Sequence, residues 1–329
     1  MCVTLLLLLL SALGDRLLAE LDLQDPAWIH FKSKYGKTYS SLEEEARRLA
    51  IFRRNSRLIA EHNAGDSSFR MGVNHLADLS STEYRALLNK RVLPAPRADE
   101  PGDASAGRRG PTGISKDWRA EGAVTFVRDT GSCDASWAFA ATGAVESAWY
   151  LAGHTLVSLS EQQLLDCSHQ YGNNGCDGGL AKQAFEYVTS AGGLEAETDY
   201  PYRNQTDYRC RLNDTATSAN ISNWMLTTRG SEAELEYVVF HIGPVACAMD
   251  ASHKSFQLYS HGVYSDLKCS TTRLTLSLLI VGYGVENGVP FWLMKNAWGY
   301  GWGEQGYIKL QKGHGNMCGI ASDCSYPVV

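Results

Sequence analysis

The chain of 329 residues lacks the features by which several broad functions show themselves. There is no excess of positive charge: the formal net charge is -6, and no basic patch with interleaved aromatics marks a nucleic-acid binder. No apolar run is long enough to cross a bilayer. Thr4 to Leu13 is apolar for about ten residues, against the ~20 that a spanning helix needs. No His, Cys, Asp or Glu cluster has metal-ligand spacing, and no glycine loop has the phosphate-cradling pattern. No metal and no other cofactor is expected.

What is present is the balance of a soluble globular protein, 44% hydrophobic and 20% charged, with length for more than one ordinary domain. The apolar run ends in Ser11-Ala12-Leu13-Gly14, small residues of the kind a signal peptidase reads, so residues 1–14 are expected to be a secretory signal. Nine cysteines in a secreted chain predict disulfides. Cys2 leaves with the signal, and Cys133, Cys167, Cys176, Cys210, Cys247, Cys269, Cys318 and Cys324 remain. Their order alone does not set the pairing. Cys247, in an apolar run, reads as a buried small hydrophobe, and Cys324 as free or paired with another chain.

Residues 20–90 are charged and helical in pattern. Glu44, Arg48, Phe52, Asn55, Ile59 and Asn63 recur at intervals of three or four, which lays all six along one helix stripe. Gly72, Asn74, Leu76 and Asp78 follow at every second position. Residues 91–111 are rich in Pro, Gly, Ala and charge and read as a solvated linker. Arg108-Arg109 within it is a solvated basic pair or a cleavage point. Helices are predicted from Ser136 to about Leu151, after Ser158 or Ser160, and through Ala184, Phe185 and Val188. Three sequons follow, at Asn204, Asn213 and Asn220, and predict a glycosylated exposed loop. From residue 222 the pattern shifts to short apolar runs: strands at 244–250, 276–285, 291–295 and 306–310, with one helix around 232–241.

Thr130-Gly131-Ser132-Cys133-Asp134-Ala135-Ser136-Trp137-Ala138-Phe139 resembles the active-site segment of papain-like cysteine peptidases. The six-residue stripe and the Gly72-to-Asp78 segment resemble the two propeptide motifs of cathepsin L-like proenzymes, which implies that the second segment is strand-like. This resemblance to cathepsins L, K and S spans essentially the whole chain after the signal. It implies an α+β papain-like fold of two lobes with a cleft between them. The helical lobe is expected at about 122–221 and an antiparallel β-barrel lobe at about 222–329, together forming a peptidase domain over 112–329. A helical inhibitor-type prodomain precedes them at 20–90. The implied disulfides are Cys133–Cys176, Cys167–Cys210 and Cys269–Cys318. Gly178 and Gly179 match the loop whose backbone holds an extended peptide in the family; equally, they serve only the turn after Cys176.

At the positions that carry the family's chemistry this chain differs. Ser136 stands at the nucleophile position, Leu276 at the histidine and Thr130 at the oxyanion glutamine, and Asp134 adds charge beside the nucleophile. Asn296, which orients the histidine in the family, is retained along with Trp298 and Trp302. None of His154, His169, His241, His253, His261 and His314 falls at the histidine position. Ser136 therefore reads as a helix N-cap and Asn296 as a buried amide satisfied by backbone.

The expectation is a pseudo-peptidase, not an enzyme and similar to the testins. It would be secreted or lysosomal and monomeric, and would act by binding a peptide or protein in its cleft, with its own prodomain as a further partner. The alternative is an active cathepsin-like peptidase or a weak serine-dependent hydrolase.

Overall fold

The computed structural model describes residues 23–88, 113–212 and 217–329. The expected signal, the linker with Arg108-Arg109, and Asn213 lie outside the described residues.

The N-terminal unit is built on helix α1 (Pro26–Tyr35), the long α2 (Leu42–Ala64), strand β1 (Phe69–Met71) and α3 (Ser81–Ala86). Local chemistry starts each helix. The Asp25 and Ser41 side chains accept from backbone N–H groups at the starts of α1 and α2, and Ser80 with Glu83 forms a capping box on α3. The predicted stripe of α2 faces inward, and its polar members meet the segment that follows β1. Asn55 Nδ2 donates to the carbonyls of Ala77 (2.7 Å) and Leu79 (3.1 Å), Arg48 donates to Asp78 O, and Asn63 pairs with the backbone of Met71. Residues 72–78, predicted as strand-like, are instead an irregular and turned segment, and the strand is β1 just before it. Turn bonds such as Ala77 N–H to Asn74 O and side-chain amides, not a ladder, take up backbone groups there.

The helical lobe holds α4 (Ser136–Leu151), α5 (Glu161–Cys167) and α6 (Ala181–Ala191). Ser160, not Ser158, caps α5 by accepting from Gln163 N–H at 2.9 Å. Small residues let α4 lie close to the sheet: a Cβ on Gly143 would meet Leu279 Cδ2 at 2.8 Å. Its core gathers Trp137, Ala141, Val145, Leu164, Phe185 and Val188 with Leu279 and Val281 of the sheet.

Strand β2 (Lys116–Asp117) precedes this lobe, and β3 (Leu194–Glu195) pairs with β4 (Thr217–Ala219). The second lobe comprises β5 (Asn223–Leu226), α7 (Glu232–His241), β6 (Val245–Met249), α8 (Lys254–Gln257), β7 (Tyr259–Tyr264), β8 (Leu276–Glu286), β9 (Val289–Lys295), β10 (Tyr307–Gln311) and β11 (Cys324–Val328). The sheet runs β1-β7-β10-β9-β8-β6-β11-β5, with β2 also on β8, and is antiparallel except between β7 and β10. The N-terminal unit thus adds its own strand to the edge of the second lobe. The two share one core, in which Trp28, Phe31, Phe52 and Tyr84 are continuous with Phe256, Tyr259, Trp298 and Trp302. Among the described residues no helix is long and apolar enough to cross a membrane.

Disulfides join Cys133–Cys176, Cys167–Cys210, Cys269–Cys318 and Cys247–Cys324. The last corrects the reading of Cys247 as an unpaired hydrophobe and of Cys324 as free. The two residues face each other across β6 and β11, 4.1 Å apart at Cα, a pairing made by strand register and invisible in sequence order.

Candidate functional site

The loop 130–135 delivers the chain to the start of α4 between the lobes. Ser136 is the first helical residue and is buried. It does not cap the helix, as expected from its residue type: the cap position is Ala135, which has no side-chain bond to offer. The Ser136 hydroxyl instead accepts from the N–H of Ser277 at 3.3 Å, so the helical lobe meets β8 at this atom. The N–H groups at the start of a helix favour negative charge nearby.

Leu276 opens β8 one residue before that contact, opposite Met249, and joins the apolar core of the second lobe. Its side chain offers neither lone pair nor proton. Asn296 follows β9 and is equally buried. Its Oδ1 accepts from Ala297 N–H at 2.8 Å, while its Nδ2 has no hydrogen-bond partner among the described residues. The expectation of an amide satisfied by backbone therefore holds for one end only. Trp298 packs edge-on against Trp302 at 5.3 Å beside it.

Thr130 is buried. Its N–H donates to Ala297 O (2.9 Å), and its carbonyl accepts from the Tyr202 hydroxyl (2.8 Å). Asp134 is buried next to the nucleophile position, its N–H donating to Cys176 O at 3.3 Å. Gly178 has φ +102°, which favours glycine, and a Cβ on Gly179 would sit 2.6 Å from the Trp137 ring, so packing leaves no room for a side chain there. The second-lobe histidines engage elsewhere, His253 with Asp266 at 2.8 Å and His241 against Tyr237 and Phe240.

Behind Ser136 lies a small cavity of about 20 Å³, room for a single water, that Ser277, Lys295 and Asn296 also line. Arg128, Glu146 and Glu161 complete it. Burial pushes the Glu161 carboxyl up to about 8, opposed by Arg128 and reinforced by Glu146 and Glu197. Burial also lowers the pKa of Lys295, whose ammonium donates to Thr125 Oγ1 at 2.9 Å. Sequence reasoning missed this group of charges. Glu161 stood there only as the residue after a cap, because nothing in the order of residues shows that four separate segments converge.

The chain was compared with known proteins. The description "papain family cysteine protease" matches residues 113–328, and "cathepsin propeptide inhibitor domain" matches residues 28–84. Cathepsin L of Sarcophaga peregrina is 41% identical over 334 residues, covering 98% of each chain. Digestive cysteine proteinase 2 of Homarus americanus is 41% identical over 310 residues, 92% of this chain and 95% of that one. The structure of digestive procathepsin L 3 from the larval midgut of Tenebrio molitor superposes with a TM-score of 0.85 at 41% identity, covering 92% of this chain and 98% of that one.

These relatives correct the expectation that the chain is not an enzyme. Proteins alike along nearly the whole chain carry the names of proteinases and cathepsins, and three substitutions are not by themselves a demonstration of lost catalysis.

Proposed function

The chain belongs to the papain family of cysteine proteases and carries the cathepsin propeptide inhibitor domain, and from that premise we propose a peptide hydrolase, made as a proenzyme, that works slowly from Ser136. The observation that carries this reading is the placement of the Ser136 hydroxyl. It stands at the start of α4, between the lobes, on a cavity shared with Ser277 and Asn296. A peptide lying along the seam, its backbone beside Gly178 and Gly179, presents a carbonyl to that hydroxyl. Attack forms a bond from Oγ to the carbonyl carbon, the amine leaves with a proton, and water then cleaves the ester.

Leu276 supplies no imidazole, so the hydroxyl proton passes to solvent and the leaving amine takes its proton from solvent. A positioned general base is worth about 10²–10⁴ in rate, and turnover is expected to be lower by that factor. The same reading puts the protein in the secretory pathway, in keeping with four disulfides. Glycans are expected on Asn204, Asn213 and Asn220.

Purified protein matured in acid and given a fluorogenic dipeptide tests this. Slow hydrolysis that disappears in Ser136→Ala, and rises about 10²–10⁴-fold in Ser136→Cys/Leu276→His, is the expected result. Wild type no faster than Ser136→Ala overturns it.

A further inference from the structure

Tyr202, Asn204 and Thr206 alternate along one short segment; the first two reach the loop that carries Ser136, and Thr206 reaches Cys176, which a disulfide ties to that loop. The Tyr202 hydroxyl donates to Thr130 O at 2.8 Å. Asn204 Oδ1 accepts from Cys133 N–H at 3.0 Å and from the Ser132 hydroxyl at 3.5 Å. Thr206 Oγ1 accepts from Cys176 N–H at 3.1 Å. The bonds from Cys133 N–H and Cys176 N–H fall on the two halves of the Cys133–Cys176 disulfide.

The fit is close on both sides. A Cβ on Gly131 would lie 2.6 Å from Asn204 Nδ2, and one on Gly175 would lie 2.2 Å from Thr206 Oγ1. Both glycines have positive φ, +61° and +53°, which leaves room for the incoming side chains. Asn204 itself has φ +55°, a conformation that asparagine tolerates better than most residues. Two of the three residues also make up the sequon Asn204-Gln205-Thr206.

We propose that Tyr202, Asn204 and Thr206 are a strap that positions the Thr130–Ser136 loop, with Asn204 and Thr206 acting as positioning residues through their oxygen acceptors and not through a glycan. The catalytic part of the proposal rests on Ser136 being the nucleophile. A glycan attaches at Nδ2 and leaves Oδ1 in place, so the two roles of Asn204 are separable.

Asn204→Gly keeps the positive φ and deletes the acceptor; Asn204→Asp keeps an acceptor and deletes the sequon. Thr206→Val and Thr206→Ser form a second such pair. Hydrogen exchange of the Cys133 amide is expected to speed up at least tenfold in Asn204→Gly and to stay near wild type in Asn204→Asp. In the dipeptide assay kcat falls about tenfold in Asn204→Gly with KM unchanged, and Asn204→Asp restores it. Unchanged exchange in Asn204→Gly, equal loss in Asn204→Asp, or faster exchange spread evenly over the whole helical lobe overturns the strap. The exchange result stands without turnover, so a wild type lacking Ser136-dependent hydrolysis removes the proposed activity and not the strap.

Discussion

Asn55 in the prodomain and Asn296 in the cleft are both 2% exposed, and their amide groups are used in opposite ways. Asn55 Nδ2 donates to two carbonyls of the turn that follows β1. Asn296 Nδ2 donates to none, and its Oδ1 is taken up by the next residue's N–H. The prodomain seam continues the first pattern: Asn74 donates to Gln257 O, Gln257 to Leu76 O, and the Tyr84 hydroxyl to Ala251 O. An unpaired buried donor costs about 1–3 kcal/mol, whereas a paired one is worth roughly 1 kcal/mol to stability. Asn55, Asn74 and Tyr84 thus tie the prodomain into the fold, while the cleft keeps at Asn296 a donor that stability does not require.

Three substitutions break or sharpen that contrast. Asn55→Leu strands two carbonyls and is expected to cost about 2–4 kcal/mol, measured by denaturant unfolding of the proenzyme; a loss below about 1 kcal/mol would put the two asparagines in one class.

The second concerns the cavity beside Asn296. The Glu161 carboxyl is raised in the folded protein to about 8, above its unfolded value of about 4.5. The folded state therefore holds the proton more tightly. The resulting stability is fully present below pH ~4.5 and is lost as pH rises through ~8. Melting temperature is expected to fall by several degrees between pH 5 and pH 8, and the fall to flatten in Glu161→Gln. An equally steep fall in the variant would sink this account.

The smallest effect is expected for Asn296→Leu. Removing the unpaired Nδ2 offsets the lost acceptor for Ala297, and the change stays within about 1 kcal/mol in the same unfolding experiment. A loss as large as that of Asn55→Leu would reveal a partner for the amide.

Periodicity made much of the scaffold legible. The α2 stripe is one face of a helix because its intervals match 3.6 residues per turn, and that face is the one turned inward. The strand from Leu276 was visible as an apolar run, since both faces of β8 are covered. Residue type misleads about the local role of Ser136: serine is a good cap, but here Ala135 occupies the cap position and the hydroxyl turns to Ser277. The inference from substituted residues to a chain that is not an enzyme also went too far, as the relatives' names make plain.

The sequence by itself determined what depends on near neighbours: helix stripes, short apolar strands, and the substitutions at positions 130, 136 and 276. The tertiary structure decided what depends on segments far apart in the chain. Cys247 and Cys324 meet across 77 residues because β6 and β11 lie in register. Tyr202 and Asn204 reach a loop 72 and 71 residues earlier, and Thr206 one 30 residues earlier, with Gly131 and Gly175 making way for Asn204 and Thr206. Glu146, Glu161 and Lys295 form one charged cavity because α4, α5 and β9 pack together. Local periodicity fixes which face of an element is apolar, but only packing brings particular polar atoms within bonding distance.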